Sequence, residues 1–298
     1  MSHYFLGIDA GSSATEWAVV DDGGKEITRG KSIPVDGHIY RDETRKQWNQ
    51  FLSELQEKIQ APITAIYAGV TGASDFPEEN SEIANLIKEK FPAARVHVVI
   101  DVALGYQANV RDSRGVYLYA GTGSIAVYKD SSDRIRTIGG WGYLLGDEGA
   151  GYWIGISALR EILADLENGN GDSRLSSIVN THGQTPTFNQ IKELVYGSPR
   201  NKVAALAKEV IELAKTGDQK SLEIIKSAAR ELASLVQRTR AVIGEAEGPV
   251  VFGGGIAQAS QEIVNETARI LGTTIQVSSD DLSLEAAQFA AEDLSATS

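Results

Sequence analysis

The residues of this sequence that could do chemistry are carboxylates beside glycine-rich turns. Asp9 ends an apolar run and precedes the turn Gly11-Ser12-Ser13. Its carboxylate can hold magnesium, directly or through water. Small turn residues let backbone N–H groups approach a phosphate, and the hydroxyls of Ser12, Ser13 and Thr15 can add donors. The alternative is a plain hairpin turn, which favours Asp at this position.

A second glycine-rich turn, Gly121-Thr122-Gly123, repeats the first. The segments LGIDAGSSATEWAVVDD and VYLYAGTGSIAVYKD both read as strand, glycine-rich turn, strand and polar turn. This repetition favours phosphate binding over two unrelated hairpins. A third cluster, Gly253-Gly254-Gly255, follows a short apolar strand and is a weak nucleotide signal by itself. The sequence contains no GxxxxGK[ST] element, which excludes a P-loop.

The stretch GGWGYLLGDEGAGYWIG, residues 139–155, holds seven glycines around one acidic pair. Average composition would place roughly one glycine there. Gly140 and its neighbours can let the backbone pass close to a ligand, Trp141 can stack on the face of a sugar ring, and Asp147 can accept hydrogen bonds from hydroxyls. The alternative for Asp147 and Glu148 is that negative charge is favourable before a helix starting near Gly151.

Asp101 stands where a predicted strand, residues 96–100, meets a predicted helix. A carboxylate at this junction can act as a general base. Considered alone, it is more typical of a helix N-cap, a position that Asp favours strongly. The four histidines, at positions 3, 38, 97 and 182, show no metal-ligand spacing.

Strands and helices alternate along the chain, which predicts an α/β fold. The first part reads β-β-β-α-β-α-β, and the pattern restarts near Val116. With 298 residues, the chain is long for one core, so we predict two lobes with a central cleft. The predicted lobes are residues 1–110 and 111–282, with a final helix in 283–298 packing back on the first lobe. Residues 168–199 are predicted to be surface excursions.

Composition excludes several classes of function. The net charge of −12 argues against a nucleic-acid partner, since phosphate-tracking surfaces need clustered Lys and Arg. The chain has no cysteine, which excludes disulfides, thiolate zinc sites, iron–sulfur clusters and cysteine nucleophiles. No charged leader and no apolar run of about 18 residues occurs, so we expect a cytoplasmic protein without a membrane partner.

The motifs, in their order, resemble the N-acetylglucosamine kinase and BadF-type ATPase family of the actin-like, sugar kinase and Hsp70 superfamily. The motifs are IDAGSSAT, VVIDVALGYQAN, YAGTGSIAV, GGWGYLLGDEGAGYWIG and VFGGGIA. They span nearly the whole chain, and GGWGYLLGDEGAGYWIG is the most specific of them. The resemblance implies two ribonuclease-H-like lobes and transfer of the γ-phosphoryl group of magnesium ATP to an amino-sugar hydroxyl, expected to be the 6-hydroxyl. Family habit alone implies a homodimer.

The resemblance also implies roles for individual residues. It makes Asp101 the catalytic base and Asp9 the magnesium ligand. It assigns nucleotide binding to the three glycine turns, which contribute Asp9, Gly11, Ser12, Ser13, Thr15, Gly121, Thr122, Gly123, Gly253, Gly254 and Gly255. It assigns sugar binding to Gly140, Trp141, Asp147, Asp36 and His38.

Departures from the family pattern leave the substrate open. Family members usually place an asparagine near the sugar's 2-substituent, and this chain has Asp36, Gly37 and His38 there. An acidic residue suits a free amine, so glucosamine competes with N-acetylglucosamine. N-acetylmuramic acid would add a carboxylate, for which the motifs offer no convincing Arg or Lys. The alternative function is a non-catalytic sugar or nucleotide sensor, or an ATPase that drives a partner.

Overall fold

A computed structural model describes residues 3–11, 13–74, 76–111, 114–179, 185–244, 248–278 and 281–295. Ser12 therefore lies outside the described residues. The chain divides into two compact units, which are described separately. Unit 1 comprises residues 1–111 and 279–298, and unit 2 comprises residues 112–278.

The described residues of unit 1 form five strands and four helices. They are β1 (Tyr4–Ala10), β2 (Thr15–Asp21), β3 (Glu26–Ser32), α1 (Asp42–Lys58), β4 (Ile63–Val70), α2 (Ser81–Lys90), β5 (Arg95–Ile100), α3 (Asp101–Val110) and α10 (Leu282–Ser295), with a short 3-10 helix at Pro77–Asn80. The sheet order is β3-β2-β1-β4-β5. β1 pairs antiparallel with β2, which pairs antiparallel with β3, while β1, β4 and β5 run parallel.

The core of unit 1 forms where the sequence patterns predict it. Apolar residues of α1 recur every three or four positions, so one face of the helix is buried. Trp48, Phe51 and Leu52 on this face are fully buried and pack with Leu6 and Ile8 of β1. Central strand β1 is covered on both faces, which explains its nearly continuous apolar run.

The C-terminal helix α10 packs on β1, β2 and β4. Its buried described residues are Ser283, Ala286, Ala287 and Ala290. Gly7 of β1 explains why the buried residues of α10 have small side chains. A Cβ on Gly7 would lie 2.0 Å from the Ser283 carbonyl oxygen and 2.3 Å from the Ala287 nitrogen. The helix backbone therefore lies directly on the strand.

Unit 2 repeats this sheet and adds more helices. Its elements are β6 (Val116–Ala120), β7 (Ser124–Lys129), β8 (Ile135–Gly139), α4 (Gly151–Glu167), α5 (Phe188–Gly197), α6 (Arg200–Lys215), α7 (Gln219–Ile243), β9 (Val250–Gly253), α8 (Gly255–Ala259), α9 (Gln261–Leu271) and β10 (Ile275–Val277), with a 3-10 helix at Leu175–Val179. The sheet order is β8-β7-β6-β9-β10. Antiparallel β8, β7 and β6 and parallel β6, β9 and β10 match the pairing in unit 1.

Two five-stranded mixed sheets with the same order confirm the predicted α/β class and the repeated topology. Residues 168–199, predicted to be surface excursions, include α5, whose residues are mostly exposed except for buried Ile191. Thr187 begins α5 with a capping box to Gln190, in which each side chain bonds the other residue's backbone N–H. Within the described ranges, every helix is too short or too polar to traverse a lipid bilayer.

Candidate functional site

Asp9 lies near the end of central strand β1, on the face opposite to Leu6 and Ile8. Burial and then, in decreasing order, the negative charges of Asp101, Glu16 and Asp281 together raise the pKa of Asp9 to about 7. A carboxylate surrounded in this way is unfavourable as an isolated anion. A cation would relieve the repulsion.

Asp101 is the first residue of α3, directly after β5. The N-cap position falls at Ile100, with φ −65° and ψ 142°, and the Ile100 side chain makes no capping hydrogen bond. The Asp101 carboxylate accepts the Val102 N–H at 2.9 Å and a hydrogen bond from the Thr71 hydroxyl. Burial nevertheless raises the pKa of Asp101 to about 6. Asp101 therefore stays largely ionised at pH 7 and can accept a proton.

Asp9 and Asp101 lie at the same edge of the unit 1 sheet because β1, β4 and β5 are parallel. Thr71 links them, since its backbone N–H donates to the Ala10 carbonyl at 2.9 Å and its hydroxyl donates to Asp101. In the described part of the chain, no group of three or more His, Cys, Asp or Glu side chains forms a metal cage. Magnesium does not require such a cage, because one or two carboxylates plus substrate phosphates commonly hold it. Asp9 fits this role.

The candidate residues at the β1–β2 turn differ in how exposed they are to solvent. The Gly11 N–H donates to the Ala14 carbonyl at 3.0 Å, closing the turn, and Ser13 is exposed. Thr15 is fully buried, and its hydroxyl oxygen accepts the Val35 N–H at 3.2 Å. This burial argues against the predicted contact between Thr15 and a phosphate. Gly11 and Ser13 remain predicted ligand contacts.

Asp36 and His38 form a compact local group in unit 1. The Asp36 carboxylate accepts the His38 N–H at 2.8 Å, and its Oδ1 lies 3.1 Å from His38 Nδ1. The Gly37 N–H donates to the Thr71 carbonyl at 2.8 Å, which brings this loop to the residue that contacts Asp101. Thr71 therefore connects Asp101 to the loop that carries two further predicted site residues, Asp36 and His38.

In unit 2, the turn Gly121-Thr122-Gly123 is attached to the start of α4. The Gly121 carbonyl accepts the Gly151 N–H at 2.9 Å, and the Thr122 carbonyl accepts the Tyr152 N–H at 3.1 Å. These two helix-terminal N–H groups are therefore used within the protein. The Gly121 N–H also bonds internally, to the Gly123 carbonyl at 2.9 Å.

Asp147 is buried against this turn. A Cβ on Gly123 would lie 2.4 Å from Asp147 Oδ2, so only glycine leaves room for the carboxylate. Burial raises the pKa of Asp147, while the N–H groups of Ser124 and Gly142 and the charge of Arg200 oppose the rise. Its φ of +63° is a left-handed conformation that Asp tolerates better than most residues. Asp147 ties the loop before α4 to the β6–β7 hairpin.

The loop between β8 and α4 presents Trp141 to solvent. Trp141 is 59% exposed, and the Arg238 guanidinium lies over its ring, 5.6 Å from the centroid. Gly140 adopts φ +68°, and a Cβ there would lie 2.6 Å from Ile125 Cδ1. The local fold therefore already requires glycine at position 140, whether or not a ligand binds there.

The Gly253-Gly254-Gly255 cluster follows β9, as predicted, but its members differ. A Cβ on Gly253 would lie 2.2 Å from the Tyr117 hydroxyl, and one on Gly254 would lie 2.4 Å from the Ala120 carbonyl oxygen. Packing inside unit 2 therefore accounts for these two glycines. Gly255 is exposed with open space around it, and nucleotide binding at this cluster stays a prediction.

Sequence reasoning missed Thr71 and the arginines Arg200 and Arg238. Thr71 could have been found, because it follows the predicted strand β4 as Asp101 follows β5, and parallel strands end at one edge. The arginines gave no such signal. Each stands among polar helix residues, and only the folded chain brings Arg200 near Asp147 and Arg238 onto Trp141.

Comparison with known proteins extends these observations. A kinase named for N-acetylmuramic acid and N-acetylglucosamine, from Clostridium acetobutylicum, is 26% identical over 278 residues, which cover 90% of each chain. The N-acetyl-D-glucosamine kinase of Dictyostelium discoideum is 26% identical over 273 residues, 84% of each chain. A solved structure from Chromobacterium violaceum, described as a candidate N-acetylglucosamine kinase, has a TM-score of 0.76 at 20% identity, covering 97% of this chain and 99% of its own.

The structural likeness, at this low identity, establishes a shared fold. The model of the BadF/BadG/BcrA/BcrD ATPase family matches residues 6–281, which include every predicted site residue. The match begins in β1, just before Asp9, and ends at Asp281, whose charge acts on Asp9. The chain belongs to the BadF/BadG/BcrA/BcrD ATPase family.

Proposed function

We propose that this protein is an ATP-dependent kinase that phosphorylates a hydroxyl of an amino sugar, expected to be the 6-hydroxyl. The observation that carries the proposal is the Asp101 carboxylate, held by Thr71 and Val102 at the same sheet edge as Asp9. Membership of an ATPase family supports ATP as the phosphoryl donor, and the names of the two curated relatives support an amino sugar as the acceptor.

In the proposed reaction, Asp101 accepts the proton of the sugar hydroxyl. The hydroxyl oxygen bonds to the γ-phosphorus as the bond from that phosphorus to the β–γ bridging oxygen breaks, so that ADP leaves. With a pKa of about 6, Asp101 is a base matched to neutral pH. The Thr71 hydroxyl and the Val102 N–H fix its orientation.

Asp9 is the residue proposed to hold magnesium. When bound, magnesium would neutralise phosphate charge as the phosphoryl group transfers. Asp9 contributes a carboxylate whose pKa is raised to about 7 by burial and by three neighbouring carboxylates, so binding a cation would favour its ionised form. Gly11, Ser13 and the turn at 121–123 are proposed to line the phosphates.

The residues proposed to contact the sugar are those that the family resemblance assigns to sugar binding. Trp141 offers an exposed aromatic face, and Asp147 offers a carboxylate to hydroxyl groups. Asp36 and His38 are proposed to face the 2-substituent. Because Asp36 is acidic where the family usually has asparagine, glucosamine is a substrate candidate beside N-acetylglucosamine.

The test is an ADP-release assay with N-acetylglucosamine, glucosamine, N-acetylmuramic acid, glucose and no sugar. We expect ADP release only with amino sugars, and an NMR spectrum of the product that places the phosphate on the 6-oxygen. ADP release independent of sugar would instead indicate an ATPase that drives a partner. Sugar binding by calorimetry without any ADP release would indicate a sensor.

A further inference from the structure

Two tryptophans lie in the core of unit 1, and their indole N–H groups are used differently. Trp48 of α1 is fully buried, and its Nε1–H donates to the backbone carbonyl of Asp36 at 2.8 Å. Trp17 of β2 is 2% exposed in the same core, and its Nε1 is buried with no hydrogen-bond partner among the described residues. Packing in this core therefore does not require a bonded indole N–H. The bond of Trp48 instead fixes the loop that carries Asp36 to the core.

The loop at residues 36–38 interlocks with the turn that follows β4. The Gly37 N–H donates to the Thr71 carbonyl at 2.8 Å. A Cβ on Gly37 would lie 2.4 Å from the Gly72 carbonyl oxygen, and a Cβ on Gly72, which adopts φ +73°, would lie 2.7 Å from His38 Cε1. The loop and the turn therefore touch with no room for a side chain at either glycine. A displacement of the loop also displaces Thr71.

The backbone of Thr71 determines the direction of its hydroxyl. The Thr71 N–H donates to the Ala10 carbonyl at 2.9 Å, and its carbonyl accepts the Gly37 N–H, so both peptide groups of the residue are held. Threonine is β-branched and its χ1 angle is restricted, so its hydroxyl follows its backbone. This hydroxyl donates to the Asp101 carboxylate. A continuous series of contacts therefore leads from the Trp48 indole to Asp101.

Resting on the proposed function, we infer that Trp48 is a positioning residue for the general base Asp101. Its indole N–H holds the loop at residues 36–38, the loop holds Thr71, and Thr71 holds the carboxylate in the orientation that accepts the proton of the sugar hydroxyl. Because Trp48 is fully buried, it acts only through this series of contacts and not by touching substrate. A reacting group displaced by about 1 Å can cost about 10²-fold in rate.

The experiment uses a matched pair of core variants. Trp48→Phe and Trp17→Phe each replace one buried indole by a phenyl ring, but only Trp48→Phe removes a hydrogen bond. Trp48→Phe should lower kcat by about 10- to 100-fold with the KM for ATP unchanged, and Trp17→Phe should leave kcat nearly unchanged. The kcat/KM of Trp48→Phe should also rise with pH at a midpoint about 0.5 to 1 pH unit above that of the parent, because the Thr71 bond favours the ionised form of Asp101.

Two further variants separate the hydrogen bond from core packing. Replacement of Trp48 by 3-benzothienylalanine keeps the size of the side chain, puts sulfur in place of the N–H, and should reproduce both effects of Trp48→Phe. Thr71→Val removes the last bond of the series and should raise the same midpoint. The inference is overturned if benzothienylalanine leaves kcat and the midpoint at the parental values, or if Trp48→Phe changes only the KM for the sugar. Thermal melts establish that each variant is folded in the assay.

Hydrogen exchange separates this inference from the proposed function. The Gly37 amide proton bonds the Thr71 carbonyl, so its exchange rate reports the interlock without substrate or turnover. Exchange should be faster by about 10-fold or more in the benzothienylalanine variant and unchanged in Trp17→Phe. Faster exchange in a protein whose parent has no kinase activity would support the positioning of Thr71 by Trp48 and refute the proposed function. An active kinase in which Gly37 exchange does not respond to loss of the indole N–H would refute the inference alone.

Discussion

The β1–β2 turn of unit 1 and the β6–β7 turn of unit 2 occupy equivalent places in sheets of the same order. They obtain their carboxylates differently. In unit 1, Asp9 belongs to the strand that leads into the turn, whereas the matching position in unit 2 is Tyr119. In unit 2, the carboxylate of Asp147 reaches the turn from a later loop and fills the space left by Gly123. A glycine turn therefore does not define its own chemistry.

The two carboxylates also differ in what balances their charge. The pKa of Asp9 is raised to about 7 by burial and by other carboxylates, and no donor among the described residues opposes the rise. Asp147 is raised by burial, but two backbone N–H groups and Arg200 oppose the rise. Unit 1 thus leaves a charge that a cation can neutralise. Unit 2 compensates the charge of Asp147 in part, which suits a residue that accepts hydrogen bonds from neutral hydroxyls.

The largest effect should come from Asp101→Asn in unit 1. If Asp101 is the general base, kcat should fall by about 10²-fold or more with nucleotide affinity nearly unchanged. The kcat/KM of the parent should rise with pH through about 6, the pKa of Asp101, and the variant should lack this rise. Asp42→Asn, at the start of α1, is the matched control. An Asp101→Asn variant with parental turnover and lowered stability would show that the residue only supports its helix.

Asp9→Asn should change how stability depends on pH. Without divalent cations, Asp9 keeps its proton to about pH 7 when folded and loses it near 3.8 when unfolded. The folded state therefore binds more protons between about pH 4 and 7, and stability falls as pH rises through this window. The variant should lose this slope and gain roughly 2 to 4 kcal/mol in free energy of unfolding at pH 8.

Urea unfolding at pH 5 and pH 8, with a chelator present, measures this difference. Magnesium should reduce the slope of the parent protein and leave that of Asp9→Asn unchanged, because the cation needs the carboxylate. A difference between parent and variant that stays constant over this pH range would contradict the assignment.

Asp147→Asn should act mainly on the sugar KM, in contrast to Asp101→Asn. A charged hydrogen bond to a sugar hydroxyl is worth roughly 1.5 to 3 kcal/mol, so KM should rise about 10- to 100-fold with little change in kcat. Asn tolerates the left-handed conformation at this position and keeps one acceptor oxygen. Steady-state kinetics over a range of sugar concentrations measures the effect. If KM is unchanged and stability is lower, Asp147 stabilises its loop and does not contact the sugar.

The smallest effects test the turns themselves. Gly123→Ala would place a Cβ 2.4 Å from Asp147 Oδ2 and should destabilise the protein by about 1 to 3 kcal/mol. Gly11→Ala would place a Cβ 3.3 Å from the Ala14 carbonyl oxygen and should change the free energy of unfolding by less than about 1 kcal/mol. Denaturant unfolding of both variants gives the comparison. Equal losses of stability in the two variants would mean that the Asp147 side chain moves easily to make room for the added methyl group.

The alternation and period of apolar residues determined most of the fold. The repeated hairpins, the α1 face and the strand–helix junction at Asp101 all follow from local patterns, because a strand or helix imprints its period on the sequence. Two elements were not predicted from the sequence. Strand β10 has three residues, too few to show a period, and α5 lies in a polar region where only the Thr187–Gln190 capping box marked it.

Only the tertiary structure decided what surrounds each candidate residue. Sequence position suggested Asp9, Asp101 and Asp147, but their pKa shifts come from burial and from residues distant in the chain, such as Asp281 beside Asp9. The same holds for Arg238 over Trp141 and for Gly123 against Asp147. A local pattern records which face of an element is buried, whereas electrostatic environment and close approach depend on which elements pack together.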